Sequence, residues 1–220
     1  MHEQGAFPID PEQLLKLRVG GVTGAVTALD IGMGDFGPMP TIGVVLHIDF
    51  GDSAPTWNGL IQMGLAMLEA QAGDEMAKTE SKIGDVQIVS MMPNGPGAPD
   101  MGLNVALVPN GVLICTLPED VRSIVTNWNA KTPALGSTEM YSTMSKRVGG
   151  PGAEIEFFMR IDPFVQFGVN VLGMATEMDP SMAMVDLDGV ERALVALGLR
   201  NLGAYAETGS YEGGKSVTRG

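Results

Sequence analysis

Only one cysteine, Cys115, occurs in 220 residues, so no intrachain disulfide can form. Cys115 sits inside an apolar run, where a thiol ordinarily packs as a small buried hydrophobe. Lack of disulfides fits the cytoplasm and is compatible with a bacterial periplasm. Basic residues are also scarce. Thirteen Lys and Arg stand against 26 Asp and Glu, for a net charge of −13. That balance argues against nucleic-acid binding, because neutralising phosphates needs clustered Lys and Arg. The deficit is uneven. From Val19 to Ala77 there is no Lys or Arg, while Asp30, Asp35, Asp49, Asp52, Glu69, Asp74 and Glu75 all fall there. The ordinary reading is a solvated acidic face; the sharper one is a cation site or a basic partner. No apolar run approaches the roughly 18 residues of a membrane-spanning helix. Met1-His2-Glu3-Gln4 supplies neither the basic start nor the apolar centre of a signal peptide.

What is present is a hydrophobic, turn-rich chain: 45% hydrophobic, 18% charged, with 30 Gly and 14 Pro. That composition folds, and this length buries roughly 70% of the unfolded surface, in one large domain or two small ones. The best-specified stretch runs from Lys82 to Lys131. Val86, Ile88 and Ser90 alternate with Gln87, Val89 and Met91, which predicts a strand with apolar residues on both faces. Three prolines and two glycines between Pro93 and Asp100 exclude helix or ladder there. Leu103 to Val108 is a strand. Pro109-Asn110-Gly111 predicts a type I turn closed by a glycine bulge, and Val112 to Cys115 a strand buried on both faces. Thr116-Leu117-Pro118-Glu119 has the spacing of a capping box. Val121, Ile124, Val125 and Trp128 follow at i, i+3, i+4 and i+7, one face of a helix.

Elsewhere the pattern is coarser. Asp10 opens a short helix with Leu14, Leu15 and Leu17. Val19 to Ile31 reads as a strand interrupted at Gly20-Gly21, Gly32 to Pro40 as a loop, and Thr41 to Phe50 as a strand. Asp52-Ser53-Ala54-Pro55 opens a helix with Leu60, Ile61, Leu65 and Leu68 on its stripe, and Asp74 to Ser81 reads as polar connection. Ser137 to Met140 starts a short helix. Ala153 to Ile161 is a strand, Asp162-Pro163 opens a helix to about Met178, and Asp188-Gly189-Val190-Glu191 resembles a further capping box. Tyr205 to Thr218 reads as a polar hairpin. The expected fold is α+β: a mostly antiparallel sheet of hairpins and meanders with helices packed on one face. Residues 1–149 form a first lobe. Residues 150–220 form a second strand-helix-helix-strand portion packed on it, joined through Gly149-Gly150-Pro151-Gly152.

Gly209-Ser210-Tyr211-Glu212-Gly213-Gly214-Lys215-Ser216 fits the phosphate-binding pattern G-x-x-x-x-G-K-[ST]. That chemistry needs a buried strand before the loop and a helix after it; here a half-polar run and a poor helix start favour a solvated hairpin. His47-Ile48-Asp49 with Asp52 is the second candidate. His47 and Asp49 share a strand face, and an imidazole with two carboxylates can hold a divalent metal, or the His can act as a base oriented by Asp. Asp52 is equally a helix cap, and Asp49 a turn residue. Of 16 methionines, Met63/Met67, Met140/Met144 and Met174/Met178 are i, i+4 pairs. They read as core fillers first, then as a groove for peptides or lipids, or as Cu(I) ligands. Asp186-Leu187-Asp188-Gly189 lacks the spacing of a calcium loop.

The order strand, Pro-Asn-Gly, strand and Thr-Leu-Pro-Glu-Asp-Val helix at Leu103 to Val125 resembles large exported bacterial proteins of uncharacterised function. The Tyr141 helix, the Glu154–Asp162 strand into a helix, and the Ala196-Leu197-Gly198-Leu199 helix end before a polar hairpin extend the likeness. The resemblance implies an exported periplasmic or envelope protein, of which these residues are an excerpt, and carries over no catalytic residues. The resulting expectation is a non-enzymatic binding or structural module with a protein or peptide partner and no cofactor. The alternative is a metal-dependent hydrolase or metal-binding domain using His47, Asp49 and Asp52.

Overall fold

The computed structural model describes residues 17–34, 37–130, 138–148, 155–178, 186–198, 204–212 and 215–219. The chain divides into two compact units, one holding the chain up to Ala28 with Gly32–Ala130, the other Leu29–Ile31 with Lys131–Gly220. The helix expected at Asp10, the Gly149–Gly152 joint and the 131–137 turn fall outside the described residues.

The first unit is built on a six-stranded sheet in the order β1-β2-β6-β5-β4-β3. The strands are β1 (Gly21–Gly34), β2 (Gly37–Asp49), β3 (Met76–Ile83), β4 (Val86–Pro93), β5 (Leu103–Val108) and β6 (Gly111–Cys115). Helix α1 (Ala54–Ala72) carries the chain from β2 to the far edge at β3. An antiparallel meander β3-β4-β5-β6 then returns, so that β6 closes against β2. Helix α2 (Pro118–Asn129) follows β6.

The α+β class and the antiparallel sheet are as the sequence predicts. The two helices of this unit, however, cover opposite faces. Val121 and Val125 of α2 pack with Val45, Val86, Ile88, Ala106, Val108, Leu113 and Cys115. Ala54 and Leu65 of α1 pack with Phe50, Val89, Met91, Val105 and Val112. The cause lies in the central strands, where Val112 and Leu113, or Ile88 and Val89, are neighbours in sequence and point to opposite faces. A sheet apolar on both sides needs cover on both sides.

Other departures are local. The turn between β5 and β6 is a two-residue connection, with Val108 opposite Gly111, and Gly111 does not adopt positive φ; no glycine bulge forms. Gly111 is required for proximity instead, because a Cβ there would collide with the Ile48 carbonyl of β2. The capping box is absent. The Thr116 hydroxyl accepts from the Val44 amide (2.8 Å) and donates to the Ile42 carbonyl (2.8 Å), while Leu117 is the N-cap with no side-chain cap bond. The stretch read as a loop from Gly32 to Pro40 is mostly strand. β6 pairs with β2 only from Val45 to Asp49, so Pro38 and Pro40 lie where a missing amide costs no β6 ladder bond. The polar connection before Lys82 is the edge strand β3, which lacks apolar alternation because both its faces are exposed.

The second unit has a three-stranded antiparallel sheet, β7 (Ile155–Arg160), β8 (Ala204–Glu212) and β9 (Lys215–Arg219), in that order. Helices α3 (Glu139–Arg147), α4 (Asp162–Met178) and α5 (Leu187–Ala196) complete it. Tyr141 of α3 meets Phe158 edge-on at 5.4 Å, and Ser145 donates to Glu156 at 2.8 Å. Bonding to Glu156 also raises the Tyr141 pKa. The α3 side of β7 is thus the Glu156/Phe158 face, whereas Phe157 is exposed. α5 is capped by Asp186, which accepts from the Gly189 amide at 2.9 Å, rather than by Asp188. Asp186 stands two residues before Asp188 in the extended conformation a cap requires.

Two glycines give a test of opposite sign. Gly111→Ala should cost roughly 3 kcal/mol, because backbone must move to admit the methyl group. Gly64→Ala, in α1 with nothing within 4 Å of its Cβ position, should stabilise by roughly 0.5–1 kcal/mol. Urea unfolding midpoints at unchanged m measure both.

Candidate functional site

His47 lies in β2 opposite Leu113, on the face that α2 covers. Its ring meets Trp128 edge-on, with centroids 5.2 Å apart. Trp128, the last residue of the predicted α2 stripe, is therefore exposed and partnered by an imidazole rather than buried in the core. Asp49, two residues on, shares that face. Its Oδ1 accepts from the Gly51 amide at 2.8 Å and its carbonyl from the Gly20 amide at 2.7 Å. Asp52 sits in the short 3-10 turn Gly51–Ser53 and is exposed. Among the described residues, no group of three or more His, Cys, Asp or Glu side chains is placed to hold a metal ion.

Cys115 is buried, as its apolar run implies. It belongs to a cross-strand rung, Ser90 opposite Asn104 opposite Cys115. The Asn104 amide donates to the carbonyls of Cys115 (3.3 Å) and Thr116 (3.2 Å), while its buried Oδ1 has no partner. Burial pushes the Cys115 thiol up to about 12, with the Asp120 carboxylate adding to the effect. A thiol held protonated is a weak nucleophile and a poor metal ligand.

The G-x-x-x-x-G-K-S segment spans the β8–β9 hairpin, with Glu212 opposite Lys215 and Tyr211 opposite Ser216. A strand follows the lysine where phosphate binding needs a helix N-terminus. Of the methionine pairs, Met67, Met140 and Met178 are exposed, whereas among the described residues the fully buried methionine is Met91. Among the described residues no helix is long and apolar enough to cross a membrane.

The most distinctive surface is one the motif search passed over. α1 covers the β4-β5-β6 part of its sheet face together with Ile48 at the end of β2. On the β1–β2 half, Val22 is 62% exposed, Val26 50%, Ile42 40% and Val44 39%. Ile42 and Val44 alternate with buried Gly43 and Val45, so they point away from the α2 side. On β1, Thr27 bonds Asp120 of α2, which puts Val22 and Val26, at the alternate positions, on that same uncovered face. Gly24, between the valines, lies against the Leu46 side chain. The result is a set of exposed aliphatic side chains on extended backbone.

Two measurements follow. Native Cys115 should resist a thiol reagent at pH 8 and react once the chain is unfolded. The folded thiol holds its proton more tightly than an unfolded one, which ionises near 9.0. Its stabilising contribution is therefore complete below that pH and is lost as pH rises from there toward about 12. Equilibrium dialysis against zinc or manganese tests the His47, Asp49 and Asp52 set. With Asp49 already bonded to Gly51 and His47 against Trp128, equal metal retention by wild type and by His47→Ala/Asp49→Ala is expected. Metal held by wild type and lost in the double variant would assign the set. Comparison with protein-family models, with curated proteins and with solved structures returns no match for this chain.

Proposed function

We propose that the chain is a non-enzymatic binding module of a larger exported bacterial envelope protein. It grips an extended polypeptide segment through the uncovered half of the β1–β2 sheet. One observation carries the reading: Val22, Val26, Ile42 and Val44 stand 39% to 62% exposed on a shared sheet face, beside a terminal strand. Exposing contiguous aliphatic surface is unfavourable unless something occupies it. Extended backbone with regularly spaced side chains suits a partner strand, which can meet main-chain groups and aliphatic side chains at once. The resemblance of Leu103–Val125 and the later elements to exported proteins supports the envelope location.

The test is selection from a displayed peptide library against the purified chain. Selected peptides should be aliphatic at alternate positions and bind at micromolar Kd. Val44→Glu should weaken them at least tenfold without lowering the melting temperature. Saturable turnover of any substrate, abolished by one side-chain change outside this surface, would overturn the reading.

A further inference from the structure

Asparagine followed by glycine occurs three times in the chain, at Asn58-Gly59, Asn94-Gly95 and Asn110-Gly111. The pair has a chemistry of its own. Glycine has no Cβ to shield its amide nitrogen, so that nitrogen can approach the carboxamide carbon of the preceding asparagine. The fold treats the three pairs differently. Asn58-Gly59 lies in α1, where the helix directs each amide to a carbonyl one turn back and away from the preceding side chain. Asn110-Gly111 lies in the β5–β6 connection. The Asn110 carbonyl accepts from the Phe50 amide at 2.7 Å, and Gly111 is buried against the Ile48 carbonyl. Neither backbone can turn to bring the reacting atoms together.

Asn94-Gly95 is the exception. Both residues are exposed and follow the end of β4, outside any helix or strand. The Gly95 amide makes no hydrogen bond among the described residues, and a Cβ on Gly95 would meet nothing within 4 Å. Asn94 itself is a clasp. Its backbone amide donates to the Glu75 carbonyl at 2.8 Å, and its Nδ2 to the Asp74 carbonyl at 3.2 Å. Asp74 and Glu75 belong to the 3-10 turn Gly73–Glu75, which joins the end of α1 to β3. The Asn94 side chain thus holds the turn that returns the chain from its helix to the sheet edge.

We propose that Asn94 is a site of spontaneous deamidation, and that its conversion releases this clasp. The Gly95 nitrogen gives up its proton and bonds to Asn94 Cγ, the Cγ–Nδ2 bond breaks, and ammonia departs with the proton. The five-membered imide left behind is opened by solvent water. Addition at Cγ gives an aspartate in an ordinary chain. Addition at the main-chain carbonyl carbon gives an isoaspartate, with the chain routed through Cγ. Either product exchanges the Nδ2 donor for a carboxylate, which only accepts. The bond to the Asp74 carbonyl is lost, and a negative charge arrives beside Asp74 and Glu75 in a chain already at −13. The reaction is independent of any ligand on the β1–β2 face.

Ageing the purified full chain in mildly alkaline buffer reads the reaction. Peptide mass mapping with fragmentation locates each lost amide, and an isoaspartate-specific methyltransferase with a labelled methyl donor detects the rerouted product. In the folded chain Asn94 should lose its amide roughly tenfold or more faster than Asn58 or Asn110, because local structure protects only the other two. In guanidinium chloride the three rates should converge. Asn94→Asp, which installs one product directly, should lower the urea midpoint of unfolding. Equal rates at the three sites in the folded chain overturn the proposal. So does an Asn94 amide that outlasts those of Asn58 or Asn110, or one that survives in the folded chain while the unfolded chain loses its own. An unchanged midpoint in Asn94→Asp overturns the release of the clasp.

Discussion

Burial of β6 on both faces is the constraint on which the first unit depends. Five residues, Gly111 to Cys115, place Val112 beneath α1 and Leu113 and Cys115 beneath α2. A strand without a polar face cannot lie at a sheet edge or under one layer of helix; it needs neighbours on both sides and cover above and below. β5 and β2 supply the neighbours, and α1 and α2 the cover. The seat against β2 is close enough to demand glycine at 111. At the other end of β6 the Thr116 hydroxyl ties the backbone of β2, and the Asn104 amide takes up the Cys115 and Thr116 carbonyls. The polar groups of this region lock the ends of a strand whose middle has none to offer.

The strands and helix around β6 were legible because hydrophobic period and turn residues agree there. Leu103 to Val108 and Val112 to Cys115 are strands, and Val121 and Val125 face inward. What failed was any inference from short polar spacing. Thr116-x-x-Glu119 has the form of a capping box, yet β2 competes for the same hydroxyl with two backbone groups, and spacing carries no information about a strand 72 residues away. Asp186 outcompetes Asp188 as the α5 cap in the same way. Helices on one face also did not follow from the sequence. The two-sided apolar character of Val86–Met91 and Val112–Cys115 already required two layers, and the residues of α1 and α2 alone do not say which layer each joins.

The candidate site was less legible than the fold. Burial is a property of the assembled sheet, and a run such as Val22-Thr23-Gly24-Ala25-Val26 reads the same whether a helix lies over it or water does. Only the observed placement of α1, which lies over Val112 and leaves Val22 uncovered, separates the two. His47 and Asp49 were correctly placed on one strand face. That face proved to be the one on which Trp128 comes to rest, so the aromatic that periodicity assigned to the core serves instead as neighbour to the imidazole.

Depletion of Lys and Arg between Val19 and Ala77 connects these observations. In an acidic chain it reads first as a solvated face, and Asp52, Glu69, Asp74 and Glu75 are indeed exposed. The same depletion removes lysine, the residue most often used to blunt a sheet edge, from β1, while β3, lying just beyond the depleted stretch, has two. Had edge protection been the general requirement of this sheet, both terminal strands would carry it. β3 carries charged side chains along its length, whereas β1 from Gly21 to Leu29 carries none. A strand that contributes little buried side-chain surface still closes the β2 ladder, and among the described residues no strand pairs with its other side.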